Sequence, residues 1–397
     1  MLTTTSHRRL ADLAPVKSDS LLALIALANA DSRPEKIDVG VGVYKDGSGV
    51  TPVMRSVKAA EKMLWERQAS KAYLGGAGDV TFPKLIAPIL LGPHADDERI
   101  LGLQTPGGCG ALALAFKLIA VVNPTAKALI GLPTWPNHVP LSIGAGIEPV
   151  TFDYYDRDAR RLRFDTMMAV VKAAAPGDVV LLQGGCHNPT GADLNAAQWA
   201  EITAAIVDGQ LLPIVDLAYQ GLGRGLEEDA AGLRGVLDAC DEVIVAQSCD
   251  KNFGVYRDRV GCLFIKTGSV AASKQAMAQV LQIAREMWSM PPDHGAATVR
   301  IVLENKALRA DWLAELDTMR ERVLRLRTRI ASAHPDLAYI AEQNGMFSML
   351  PLSPAQVLKL REDHAIYMAD SGRFNILGMA DDAVDRFCVA VISVMSE

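Results

Sequence analysis

Lys251 and Arg259 stand eight residues apart, just beyond the apolar run Val243-Ile244-Val245-Ala246, which reads as a buried strand bounded by polar residues. A lysine amine past a buried strand is costly unless it has a partner or a task. Partly desolvated in a pocket, it sheds its proton readily and becomes a nucleophile toward carbonyl carbon. The Arg259 guanidinium is shaped to grip a phosphate through paired N–H donors. An amine reactive toward aldehydes beside a phosphate-binding arginine suggests pyridoxal 5′-phosphate. The plainer alternative is that Lys251 is solvated, as most lysines after strands are.

Other residues fit the same chemistry. Asp216 closes the run Leu211–Val215, where its carboxylate can hold a pyridine nitrogen protonated and make the ring an electron sink. A helix N-cap or a solvated turn is the commoner role for such an aspartate. Tyr219, three residues on, can reach a ring oxygen or simply pack. In His187-Asn188-Pro189-Thr190-Gly191 the proline stiffens a turn that presents the Asn188 amide. Pro133 and Pro136 stiffen a loop that presents the face of Trp135 for stacking, and His138 can brace Asp216 from behind. Gly107-Gly108-Cys109 before an apolar helix offers backbone N–H groups and a helix N-terminus to an anion. Arg373, in Ser371-Gly372-Arg373-Phe374-Asn375, suits a bidentate grip on an α-carboxylate, and Arg285 a second carboxylate. For either arginine a surface ion pair is the alternative.

These side chains need a scaffold that brings them together. Strand-like runs at 128–132, 179–182, 211–215, 243–246 and 262–265 alternate with helical stretches near 165–174, 195–208 and 228–239. The glycine-rich turn 104–110 opens a helix over 111–122, a second helix falls near 51–70, and a strand near 36–44. Alternation of this kind predicts right-handed crossovers and an α/β fold with a mainly parallel sheet, whose ligands sit beyond the carboxyl ends of the strands. Trp135, Asn188, Asp216 and Lys251 each follow a predicted strand. From about 305 the pattern becomes one long amphipathic helix carrying Trp312, Leu316, Met319 and Val323, then a mixed tail with short strands near 338–341 and 346–350.

The chain of 397 residues suggests two domains, with 40 basic and 46 acidic residues and a net charge of −6. No basic stripe suggests nucleic acid, and no stretch is long and apolar enough for a membrane. Six cysteines show neither CxxC nor metal-ligand spacing, so no metal is expected and a reducing cytoplasm is. His7-Arg8-Arg9 followed by the apolar run 21–27 imitates a secretory signal, but the run is short and approached through Asp12, Lys17 and Asp19. An amphipathic helix capped by Ser18, Asp19 or Ser20 is the preferred reading. The division expected is an arm over 1–15, a small α+β domain from 16–46 with 311–397, and a large domain over 47–310.

In order and spacing, the chain resembles the class I aminotransferases, the aspartate and aromatic amino acid aminotransferase family of fold-type I pyridoxal phosphate enzymes. The resemblance rests on VGVYKD (41–46), AYLG (72–75), TPGG (105–108), PTWPNH (133–138), CHNPTG (186–191), DLAYQG (216–221), GLEEDAAG (225–232), KNFG (251–254), DRVG (258–261), GMFS (345–348) and SGRFN (371–375). It implies a seven-stranded sheet sandwiched by helices, with Lys251 forming the Schiff base and shuttling the proton. Asp216 would pair with the pyridinium, Tyr219 and Asn188 contact the ring oxygen, and Trp135 stack on the ring. Gly107, Gly108, Cys109, Ser248 and Arg259 would hold the phosphate. Arg373, with Gly42, Trp135 and Asn188, would bind the α-carboxylate. Tyr73 and Arg285 would cross a two-fold interface, so a homodimer with shared sites is implied.

Two positions depart from the family pattern. Asp250 stands where a serine usually donates to the phosphate, and Cys109 where threonine or serine often follows the two glycines. A carboxylate beside a phosphate is repulsive, so Asp250 points away, takes a proton, or weakens cofactor binding. Arg285 implies dicarboxylates, with glutamate and 2-oxoglutarate as one substrate pair. Lys45 and Thr51 resemble aspartate-preferring members, whereas Ala72, Cys109 and Met290 leave an apolar wall for a phenyl ring. The expected activity is transfer of an amino group from an aromatic amino acid, also aspartate or glutamate, to a 2-oxo acid by a ping-pong mechanism. An aspartate specialist, and more remotely a lyase or a catalytically weak binding protein on the same fold, are the alternatives.

Overall fold

The computed structural model describes Leu13 and residues 20–396, with the side chains of residues 20–22 left aside. Apart from Leu13, the expected arm over 1–15 lies outside the described residues, as do Ser18 and Asp19. The helix expected after them is present as Ser20–Ala30.

Seven strands form the central sheet: β1 Ile100–Pro106, β2 Lys127–Leu132, β3 Glu148–Asp153, β4 Val179–Gln183, β5 Leu212–Leu217, β6 Val243–Ser248 and β7 Val260–Lys266. Their order is β1-β7-β6-β5-β4-β2-β3. All neighbours run parallel except β7, which is antiparallel to both β1 and β6. The inner strands are covered on both faces, so every residue of β6 and β7 is buried and no polar alternation survives in them. Alternate residues feed two cores. Ile244 and Ala246 pack with Ala111, Leu114 and Ile283, while Val243 and Val245 pack on the other face with Ile202 and Leu233.

Helix α1, Gly107–Val122, follows β1, and the short α2, His138–Gly144, follows β2. Helix α3, Val270–Trp288, covers the α1 face of the sheet, with Ser269 capping it through Ala272 N. The 26-residue α4, Lys306–Ala331, begins at Asn305, whose side chain accepts from Ala307 and Leu308 N, and buries Trp312, Leu316, Met319 and Val323. Beyond it the two ends of the chain meet. Ile37 pairs in parallel with Ile366, and Phe347–Met349 pairs antiparallel with Arg373–Asn375.

Several local expectations need correcting. The segment near 338–341 is a 3₁₀ helix, Pro335–Glu342, not a strand; Pro335 starts it and His334 Nδ1 accepts from Asp336 N. Strand structure near 36–44 is confined to Ile37–Asp38. Gln104–Pro106 belongs to β1, and α1 starts at Gly107 rather than Ala111. β1 and β3 escaped the sequence reading because they are the outer strands, whose part-exposed positions leave no continuous apolar run.

Candidate active site

A parallel sheet gathers the turns after its strands at one edge, and β7 adds to that edge from the opposite direction. Because β7 is antiparallel, its first residues lie where its neighbours end: Val260 pairs with Pro106, and Gly261 with Ser248. Arg259, one residue before β7, therefore stands beside Gly107, one residue after β1. A Cβ on Gly107 would come within 2.7 Å of Arg259 Nη2, the movable end of that side chain, and the φ of +71 is what favours glycine here. Arg259 is itself left-handed, with φ 56, which is uncommon for a side-chain-bearing residue and is held by the hydrogen bond from its Nη1 to Tyr256 O at 2.9 Å.

The middle of the edge carries the acid and the amine. Asp216 pairs in register with Gln183 on one side and Ala246 on the other. His138 Nε2 is 3.0 Å from Asp216 Oδ2, with both residues buried, as expected of a brace. Lys251 follows β6 through the turn Cys249-Asp250, and its Nζ lies 5.2 Å from the centre of the Tyr219 ring. Burial lowers the proton affinity of this amine, against the opposing pull of Asp250 and Asp216. The same burial raises the Tyr219 hydroxyl, which stays protonated and sits 3.3 Å from Asn188 Nδ2. Asn188 Oδ1 is buried and has no partner in the chain.

One cavity is lined by Trp135, Asn188, Asp216, Tyr219 and Lys251, with Gly108, Cys109, Ser248, Asp250 and Arg259 completing its wall. Ser248 Oγ accepts from Asp250 N at 3.2 Å, which leaves its own proton free to donate. Burial is the main cause that raises the Cys109 thiol, so it is neutral at ordinary pH. Asp250 does not point away. It is 5% exposed, and its Oδ2 takes a hydrogen bond from Arg259 Nη1 at 2.5 Å while standing 3.9 Å from Lys251 Nζ.

Arg373 is tied in from the tail. Its Nη2 donates to Gly40 O at 2.8 Å, its guanidinium lies 5.0 Å from the centre of the Phe347 ring, and that ring meets Tyr219 edge-on at 6.0 Å. A Cβ on Gly42 would strike Phe347 Cζ at 2.8 Å, so the 40–42 backbone lies directly against this stack. Burial lowers the proton affinity of Arg373, and its Nε has no partner. Tyr73 and Arg285 are not brought to the cavity; both are exposed, Tyr73 by 89%. They share a surface, because Leu74 N donates to Met290 Sδ at 3.2 Å just past the end of α3.

Three residues escaped the sequence reading. Gln183 clamps Asn188 from both sides, its Oε1 accepting from Asn188 N and its Nε2 donating to Asn188 O. A polar residue ending the apolar run 179–182 was the available signal. Thr134 Oγ1 lies 2.7 Å from His138 Nδ1. Asp193 accepts from the backbone N of Cys186 and His187 and from Asn344 Nδ2, fastening the Asn188 turn to the tail.

A family model described as aminotransferase class I and II matches residues 34–391. The tyrosine aminotransferase of Rhizobium meliloti (strain 1021) is 49% identical over 371 residues, covering 92% of this chain and 95% of that protein. The aspartate aminotransferase of Salmonella typhi is 41% identical, covering 97% of this chain and 99% of that protein. Among solved structures, the aromatic-amino-acid aminotransferase from Burkholderia pseudomallei covalently bound to pyridoxal phosphate superposes with a TM-score of 0.92 at 37% identity, over 99% of each chain.

Proposed function

The chain belongs to the class I and II aminotransferases and has their α/β fold, and on that premise we propose that it exchanges amino groups between aromatic amino acids or aspartate and a 2-oxo acid such as 2-oxoglutarate. The observation that carries the reading is Lys251. Its amine has a lowered proton affinity and stands in one cavity with Asp216, Trp135 and Asn188.

The cavity fits pyridoxal 5′-phosphate, the cofactor the family implies. Asn188 Oδ1 is a buried acceptor without a donor, Ser248 has a hydroxyl proton to give, and the glycines at 107 and 108 keep side chains out of the wall. When bound, the cofactor supplies an aldehyde that captures the amino group and a ring that draws electrons from the α-carbon. Lys251 would bind it and then take the proton from the substrate α-carbon at Nζ, a role suited to an amine whose proton affinity burial lowers. Asp216 would face the ring nitrogen, held by His138. Asn188 and Tyr219 would hold the ring oxygen, and Trp135 would cover the ring and exclude water. Gly107, Gly108, Cys109, Ser248 and Arg259 would take the phosphate.

Arg373 is the proposed grip for the substrate α-carboxylate, with Gly42, Trp135 and Asn188 beside it; its unpartnered Nε supports this. Tyr73 and Arg285, exposed together on one surface, would serve the site of a second copy, so a homodimer is proposed. Lys45 is not a free cation for a substrate, since its Nζ donates to Asp38 O and Gly378 O. The arm, the large domain over 47–310 and the small domain from 16–46 with 311–397 are proposed as the division, supported by the pairing of Ile37 with Ile366. All six cysteines are free thiols, which suits a reducing cytoplasm.

The test is a half-reaction. Tyrosine, phenylalanine or aspartate is added to the cofactor-loaded protein, and the visible band and the released 2-oxo acid are followed. Loss of the band with one equivalent of oxo acid is expected for both classes of substrate. Absence of oxo acid from all three would refute the reading.

A further inference from the structure

Asp250 sits where an incoming phosphate would find Arg259, the one arginine lining the cavity among the described residues, already partly engaged. Arg259 Nη1 donates to Asp250 Oδ2 at 2.5 Å and to Tyr256 O at 2.9 Å, which uses both of that nitrogen's protons. Nη2 remains, turned toward Gly107 at the start of the 16-residue helix α1. The second Asp250 oxygen, Oδ1, is buried and has no partner. A buried carboxylate oxygen left without a donor is expensive. The groups facing this carboxylate are Arg259, Lys251 at 3.9 Å, and three whose protons burial chiefly holds and the Asp250 charge helps to hold: Tyr256, Cys109 and Cys249. The cationic end of the cavity is thus already neutralised by the chain itself.

We propose that Asp250 is a resident anion of the phosphate-binding end, so that a phosphorylated ligand binds only by displacing its carboxylate from Arg259. The proposal rests on the aminotransferase function proposed for the same cavity. It has two consequences. Affinity for the phosphorylated cofactor is lower than it would be with a neutral residue at 250. A cofactor analogue without phosphate leaves the Asp250–Arg259 pair intact and feels no deficit.

The experiment titrates the full-length, cofactor-stripped protein with pyridoxal 5′-phosphate and with 5′-deoxypyridoxal at pH 7. Dissociation constants are read from the absorbance of the bound aldehyde, for the wild type, Asp250→Ser and Asp250→Asn. Both variants are expected to bind the phosphorylated aldehyde at least tenfold more tightly and to leave 5′-deoxypyridoxal within about twofold (about 0.4 kcal/mol at RT of about 0.59 kcal/mol). An equal gain for both aldehydes would show that Asp250 acts through Lys251, and no gain for the phosphorylated aldehyde would show that it does not oppose the phosphate; either result overturns the proposal. Should both variants misfold, a crystal structure of the cofactor-loaded wild type still decides: Asp250 Oδ2 is expected beyond hydrogen-bond distance of Arg259 Nη1, and a pair that stays intact refutes the proposal. A wild type that takes up neither aldehyde overturns the proposed function itself, and this inference with it.

Discussion

His138 Nε2 and Asp216 Oδ2 lie 3.0 Å apart, and because a carboxylate oxygen only accepts, Nε2 is the donor between them. Behind the histidine, Gln183 Nε2 donates to Thr134 Oγ1 at 3.2 Å, and Thr134 Oγ1 lies 2.7 Å from His138 Nδ1. The carboxylate is so fixed in direction, with its free edge turned into the cavity beside Lys251.

Removing the carboxylate and removing its brace should therefore differ in scale. Asp216→Ala is expected to lower kcat by several orders of magnitude, because in the proposed function the ring would lose the group that keeps its nitrogen protonated. His138→Asn, which keeps a donor but not its reach, should lower kcat about tenfold, or about 1.4 kcal/mol of barrier, with little change in KM. Steady-state kinetics of both variants make the check. Equal losses would mean that His138 does more than position.

Lys251→Ala should abolish turnover while leaving a folded protein. The side chain is only one of several polar groups in the cavity, and Phe253 next to it stays stacked on Trp312 at 4.4 Å. Turnover is measured with tyrosine and with aspartate, and folding by circular dichroism. Retention of wild-type-like turnover would remove the amine from the reaction.

Most of the scaffold was legible because buried parallel strands announce themselves. β2, β4, β5, β6 and β7 all appear as apolar runs at the expected positions, and Lys251, Asp216 and Asn188 follow them as the topology requires. The outer strands β1 and β3 were not legible, since part-exposed positions break the run. Nor could the sequence tell where Asp250 points: its contact with Arg259 depends on β7 being antiparallel, which brings the residue before β7 back to the turn after β6. Gln183 and Asp193 act on backbone N–H groups five and seven residues away, but side-chain-to-backbone contacts do not depend on the partner's residue type and leave no spacing signature.

His187 predicts a dependence of stability on pH. It is buried, stacked on Tyr154 at 4.2 Å, and hydrogen-bonded to Thr190 Oγ1 at 2.9 Å. Burial, aided by His138, pushes its pKa down from 6.5 to about 3. The unfolded chain thus binds this proton at pH values where the folded one does not, so stability falls as pH drops from 6.5 toward 3, by at most about 1.4 kcal/mol per pH unit. His187→Gln removes that term. The variant should be less stable than wild type at pH 7, through loss of the stack, and the gap should narrow by pH 4.5. Urea midpoints at both pH values test this, and a gap that stays constant would show that His187 takes up its proton equally in both states.

The exposed pair Tyr73 and Arg285 sets the last test. Both lie on the surface formed where the 72–74 segment meets the end of α3, and neither reaches the cavity of its own chain. If each serves the site of a second copy, an Arg285→Ala chain mixed with a Lys251→Ala chain makes heterodimers with one complete site: lysine from the first chain, arginine from the second. The other site lacks both. Neither homodimer has a complete site for a dicarboxylate, so activity toward aspartate should rise on mixing, toward about one working site per heterodimer. Activity toward tyrosine should rise less, since Arg285→Ala homodimers keep what an aromatic substrate needs. If Arg285 instead served its own chain, both sites of the heterodimer would be incomplete, and verified heterodimers without recovered aspartate turnover would establish that arrangement.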